Sequence, residues 1–281
     1  MSLRAAARFA ALSPRRRMLV AVLAFLALIL LVLGGIRAWR IMDRHSAAKS
    51  LRPGDVLLIP GYGGSMRPLS ELATRIRATG RHVSVIRLPG NGTGDLEAQA
   101  SVLNSYVNRA LRGGAPSVDV VGYSAGGVVV RLWDVRYDGA KTARRIITLG
   151  SPLHGAQLAA AGAAFAPGAC PAACQELVPG SSLLTRLQRA PYEGRPAWLS
   201  LWTDDDHVVQ PPDSARLTGA VNVALQSVCP GAVIKHGQLP TDPLVVGIVL
   251  RGLGTAPLVA PRAADCGSLR ALGTVQRAPA A

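Results

Sequence analysis

The chain has 281 residues, 49% of them hydrophobic and 17% charged, so it can bury a large core and disorder of its bulk is excluded. Its 31 basic and 16 acidic side chains leave a formal charge of +15, carried mainly by Arg, since Lys occurs only at Lys49, Lys141 and Lys235. Arg15-Arg16-Arg17 is the one basic run and the other Arg are scattered, whereas nucleic-acid binders gather charge on one face; nucleic acid is therefore not an expected partner.

At the N-terminus, Met18 to Ile36 is an uncharged apolar run of 19 residues. As a helix it would reach roughly 28 Å, about the hydrocarbon thickness of a bilayer. Arg4, Arg8 and Arg15 to Arg17 precede it without an acid, which predicts a cytoplasmic basic tail over 1–17 and export of the chain beyond the run. The run exceeds the core of an ordinary signal peptide, and only Ile36-Arg37-Ala38 offers a cleavage site. The expectation is a transmembrane signal anchor over 18–36, with a cleaved signal peptide and a secreted product as the alternative. Residues 37–52 read as a basic juxtamembrane linker in reach of anionic headgroups.

Beyond it, strand-length apolar runs alternate with amphipathic helical segments. Strands are predicted at 55–60, 82–88, 117–122, 145–149, 197–203 and 221–228, and helices at 68–79, 95–112, 125–137 and 243–253. Repeated strand–helix units imply a mostly parallel sheet of about six strands with helices on both faces, in one domain over 53–254. A Pro- and Ala-rich tail, 255–281, reads as loosely ordered apart from Cys266. Four cysteines in an exported chain suggest disulfides, with three possible connectivities. Cys170 with Cys174 is the simplest pairing, which leaves Cys229 with Cys266. A zinc site would need Cys pairs on both sides, and no metal is expected.

Gly122-Tyr123-Ser124-Ala125-Gly126 fits Gly-x-Ser-x-Gly and lies directly between a predicted strand and a predicted helix. That setting, more than the string, points to a nucleophilic Ser on a strained turn, with flanking glycines where a Cβ would clash. Ser needs a base to take its proton, and on such an elbow an acid and then a His come later in the chain. His236, in the loop before the closing helix, is preferred to His207, which adjoins the acidic run. His154 could border the site mouth but reads as structural, as does His82, and His45 precedes the domain. Of Asp204, Asp205 and Asp206, the last is the preferred acid and Asp205 the next. The developing oxyanion calls for fixed donors, here the backbone N–H groups of Ala125 and of Tyr62 in the Gly-rich loop 60–64.

IPGYGGS (59–65), VVGYSAGG (120–127), ITLGSPLHG (147–155), LWTDDDHVVQP (201–211) and HGQLPTDP (236–243) together resemble the α/β-hydrolase superfamily, and more narrowly the small bacterial extracellular class 2 triacylglycerol lipases. In that family the first motif usually reads His-Gly-x-Gly, and Pro60 stands here in place of the His. The resemblance implies a minimal α/β-hydrolase fold and cofactor-free hydrolysis of ester or lipid substrates through an acyl-enzyme on Ser124. An acyltransferase or thioesterase on envelope lipids could use the same triad, and a catalytically silent binding module is the reading from another class. The segment 155–195, with its apolar stretch 158–166, fits a lid-like insertion or, equally, an Ala-rich buried helix.

Overall fold

The computed structural model describes residues 52–274, together with Arg15, Met18, Leu23, residues 25–32, Gly34 and Gly35. The chain divides into two units, Met1–Ala48 and Lys49–Ala281. In the first, every described position is helical. The expected span over 18–36 lies partly outside the described residues, and among those described no helix is long and apolar enough to cross a membrane. The linker expected over 37–52 is outside them as well, except for Arg52.

The second unit alternates strands and helices: β1 (Asp55–Ile59), α1 (Arg67–Arg77), β2 (Val83–Val85), α2 (Leu96–Arg112), β3 (Val118–Tyr123), α3 (Ala125–Tyr137) and β4 (Ala143–Leu149). Three helices come next, α4 (Gln157–Phe165), α5 (Ala172–Glu176) and α6 (Ser182–Arg189). Then come β5 (Ala197–Trp202), β6 (Val221–Ala224), α7 (Leu225–Val228), α8 (Pro243–Leu253) and α9 (Cys266–Gly273). The six strands form one parallel sheet in the order β2-β1-β3-β4-β5-β6.

Both faces of this sheet are covered, which is why its strands read as continuous apolar runs. Along β1 the side chains part by the period of two. Val56 and Leu58 join Leu69, Leu72 and Ile76 of α1 and Leu244, Val245 and Val249 of α8 in one core. Leu57 and Ile59 face Leu103 of α2 and Val128, Val129 and Trp133 of α3 in the other. Because β1 sends its first crossover to β2 and the next returns to β3 on its other side, the chain reverses between β1 and β3. In open parallel sheets the crevice at the carboxyl ends of such a pair is where ligands bind.

Several expected boundaries move. The edge strand β2 stops at Val85, because the chain turns away through a short helical turn at Pro89–Gly92. The strand expected over 221–228 ends at Ala224 and continues as the helical turn α7; Leu225 and Val228 are buried in either conformation, so the apolar pattern alone does not separate the two. Over 255–274, the described part of the tail, the chain is more ordered than expected: α9 packs on α8 so closely that a Cβ on Gly247 would stand 1.9 Å from the Leu269 carbonyl oxygen. The Cys229–Cys266 disulfide ties the first residue of α9 to the end of α7, and Cys170 is bonded to Cys174. Paired cysteines fit a protein of an oxidising compartment outside the cytoplasm. In the insertion, α6 buries Leu183, Leu184 and Leu187, whereas α4 buries none of its residues, contrary to a buried Ala-rich helix.

At the opposite edge of the sheet, Asp119 of β3 is fully buried between Arg81 and Arg144. The guanidinium groups also donate to carbonyls: Arg81 to Gly54 and to Leu253, and Arg144 to Leu253 at 2.7 Å and Gly254 at 2.8 Å. Arg145 donates to Gly252 and Ala256. Carbonyls at the C-terminus of α8, which no helical N–H can reach, thus find donors. Replacing Asp119 by Ala would leave two largely buried cations without their shared anion. Asp119→Ala is expected to lower stability by about 3–5 kcal/mol, measured by urea unfolding monitored by circular dichroism.

Candidate active site

Ser124 stands at the carboxyl end of β3, immediately before α3, with φ 52° and ψ −129°. A non-glycine residue at positive φ is held there only by surrounding structure. The restraint is close backbone contact. A Cβ on Gly122 would stand 2.7 Å from the Cα of Gly127, and one on Gly126 would stand 2.5 Å from the carbonyl oxygens of Ile59 and Pro60. Strand and helix therefore meet with no side chain between them, and the Ser124 N–H donates to the Leu149 carbonyl at 2.8 Å. The turn projects the hydroxyl at the crevice between β1 and β3.

The loop after β5 and the turn before α8 converge on this hydroxyl. His236 Nε2 lies 3.0 Å from Ser124 Oγ, and His236 Nδ1 lies 2.6 Å from Asp206 Oδ2. An ionised carboxylate can only accept, so Nδ1 carries the hydrogen and Nε2 is left to accept from the Ser hydroxyl. Asp206 is fully buried and its other oxygen accepts the N–H groups of Val208 at 2.9 Å and Val209 at 2.8 Å. A buried carboxylate satisfied in this way is held in one orientation.

The other acids and histidines stand elsewhere. Asp205 Oδ2 accepts from Gln226 Nε2 at 3.1 Å and from the Ile234 N–H at 3.3 Å, joining the acid loop to the segment that carries His236. Asp204 is exposed, and so is His207. His154 is exposed, with Nδ1 3.0 Å from the Ser214 carbonyl oxygen, and borders a different crevice, with Arg131 and Tyr192. His82 lies on the edge strand's side, 3.4 Å from Asp55, and His45 is outside the described residues. Among the described residues no His, Cys, Asp and Glu are grouped to hold a metal ion.

Ala125 is the first residue of α3, so its N–H has no helical acceptor and points with the positive end of the helix dipole. No hydrogen bond within the described residues occupies the N–H of Ala125 or of Tyr62. Ser124, Ala125 and Tyr62 border one cavity of about 170 Å³, whose remaining walls are apolar.

Two residues that sequence reasoning missed complete the arrangement. The Tyr123 hydroxyl donates to the His236 carbonyl at 3.2 Å, and its ring lies 5.2 Å from the imidazole. Burial, and then the charge of Asp206, push its pKa up to about 12, so it stays a neutral donor. Gly150, with φ 53°, turns the chain beneath the His–Asp pair; a Cβ there would stand 3.2 Å from both Asp206 Oδ2 and His236 Nδ1 and 2.5 Å from Leu239 Cδ1. The only signal for either is its place, beside Ser124 or directly after a strand.

No protein-family model matches the chain, and no curated protein sequence matches it. Among solved structures it is similar to the mature form of lipase BlEst2 of Bacillus licheniformis, with a TM-score of 0.60 and 18% identity over 72% of this chain and 92% of that one. It is also similar to lipase B of Aspergillus fumigatus, with a TM-score of 0.58 and 16% identity over 78% of this chain and 61% of that one. The likeness shows that the chain shares the fold of these two proteins.

The packing around Gly150 makes it a test of the His–Asp contact. Gly150→Ala would carry a left-handed residue, costing about 1–2 kcal/mol, and would crowd both partners. In the unaltered protein the hydrogen-bonded Nδ1 proton of His236 is expected as a far-downfield proton NMR resonance. It is expected to move upfield or vanish in Gly150→Ala, with circular dichroism unchanged.

Proposed function

We propose that the chain is a serine carboxylic-ester hydrolase acting through an acyl-enzyme on Ser124. The observation that carries this reading is the continuous hydrogen-bonded series Asp206–His236–Ser124, which ends at a serine that borders, with Tyr62 and Ala125, a largely apolar cavity. The fold shared with two proteins named as lipases supports the same class of substrate.

The donors and acceptors dictate the chemistry. As Ser124 Oγ attacks the ester carbon, its proton passes to His236 Nε2. Asp206 keeps the imidazole in the required tautomer and stabilises the imidazolium without itself taking the proton. The carbonyl oxygen, now an anion, receives the N–H groups of Tyr62 and Ala125. His236 returns the proton to the departing alcohol, leaving an ester on Ser124. Water then attacks that ester, with His236 again as base, and a carboxylic acid and the free serine result. No cofactor enters these steps. The 155–195 insertion is the cap of this site, and the domain that carries it runs through α9.

Turnover of p-nitrophenyl esters tests the proposal. Ser124→Ala and His236→Ala are each expected to lower kcat by on the order of 10⁶, and the double variant to be little worse, because the groups act as a unit. Asp206→Asn is expected to cost about 10⁴, and Asp205→Asn far less. Absence of turnover by the unaltered protein, or full activity of His236→Ala, would overturn the assignment.

The run 18–36 is proposed as a signal anchor that holds this domain outside the cytoplasm, supported by its length, its lack of charge and the Arg residues before it. The full chain is expected to sediment with membranes and to resist carbonate extraction. A mature protein in the medium with a new N-terminus near Trp39 would instead show a cleaved signal peptide.

A further inference from the structure

The cavity beside Ser124 indicates which part of an ester it holds. Its lining includes the nucleophile Ser124 and the residues Tyr62 and Ala125, but not His236. In ester cleavage the departing alcohol takes its proton from His236 Nε2, so the alcohol must lie on the imidazole side. The group directed into the cavity is the other arm, the acyl chain. Apart from the site residues the walls are apolar side chains, among them Ala159, Cys174, Leu177 and Val209, which offer a chain no hydrogen-bonding partner.

Size then limits the chain. The cavity measures about 170 Å³. An apolar cavity of about 150 Å³ accommodates benzene, a molecule of six carbons. The far wall is braced against yielding. Cys174 is bonded to Cys170, and a Cβ on Gly162 would stand 3.3 Å from Cys174 Sγ, so α4 leans directly on the disulfide. The helix carrying Cys174 is fixed in turn to the body of the domain. Glu176 accepts the Leu96 N–H at 2.8 Å, and the Ala173 N–H donates to the Thr93 carbonyl at 3.1 Å. At the mouth, Leu158 and Val208 are 60% and 41% exposed, so a chain that outgrows the cavity gains little further burial.

We propose that this cavity is an acyl subsite for short chains of about four to six carbons, with Ala159 and Leu177 setting its depth. The proposal rests on the ester-hydrolase reading. Long-chain acyl groups are poor substrates on this account, because their distal methylenes stay in water.

The test is kcat/KM of the full-length protein on p-nitrophenyl acetate, butyrate, hexanoate, octanoate, laurate and palmitate, each with Ser124→Ala as the blank. The expected profile peaks at butyrate or hexanoate and falls by about tenfold or more to palmitate, the order of discrimination a few methylenes give in an apolar pocket. Ala159→Leu fills the cavity and is expected to move the peak toward acetate. Leu177→Ala deepens it and is expected to move the peak toward octanoate, with circular dichroism reporting the fold of each. A Ser124-dependent peak at laurate or palmitate would overturn the proposal while leaving ester hydrolysis intact, and so would a peak that neither folded variant moves. Absence of Ser124-dependent turnover at every length would overturn the ester reading itself and the subsite with it.

Discussion

The bare contact between β3 and α3 is the constraint on which the rest of the structure depends. Gly122 lets β3 meet α3 at Gly127, Gly126 lets α3 meet the end of β1, and between these approaches Ser124 is held at positive φ. This one turn does three things. The hydroxyl stands clear of the sheet, the N-terminus of α3 is aimed at the same point, and the loop after β1 runs close enough for Tyr62 to border the same cavity. A side chain at either glycine would move strand, helix and loop apart together. Backbone strain of this kind costs about 1–3 kcal/mol and persists where packing over-determines it.

Convergence of the acid and the base is a separate problem, solved by polar contacts. Asp206 is buried, and desolvation of a lone carboxylate would be prohibitive. Two N–H groups of its own loop and the imidazole satisfy it. Around this pair, Asp205 and Gln226 stitch the acid loop to the segment before His236, and Tyr123 holds the His236 carbonyl. The Cys229–Cys266 disulfide closes the same region from outside, so the turn bearing His236 is framed on both sides.

The two edges of the sheet have different work. Side chains at the carboxyl edge meet a cavity and leave N–H groups free. At the amino edge Asp119 pairs with Arg81 and Arg144, and these two and Arg145 donate to carbonyls at the end of α8. This separation lets the amino edge carry stability while the carboxyl edge keeps unpaired donors and a strained residue.

Much of the framework was legible in the sequence because it depends on local pattern. The apolar runs, the period of the helices and the glycines around Ser124 specify a parallel sheet and a strand–turn–helix elbow by sterics and burial alone. The close spacing of Cys170 and Cys174 likewise leaves little choice of partner. What tertiary structure decided are the meetings between distant segments. Asp204, Asp205 and Asp206 are chemically alike, and only the turn after β5 determines which carboxylate faces His236 and which faces Gln226. The helical turn α7 replaces a strand because burial of Leu225 and Val228 is satisfied either way and the chain must bend toward Cys266. Gly150 and Tyr123 carry no local signature beyond their place in the chain, and the walls of the cavity none, since their roles come from atoms far away along the chain. The sequence by itself determined the elements and the chemistry available at their ends. Packing decided which of those groups meet, because side-chain contact is a property of the folded surface and not of the order of residues along the chain.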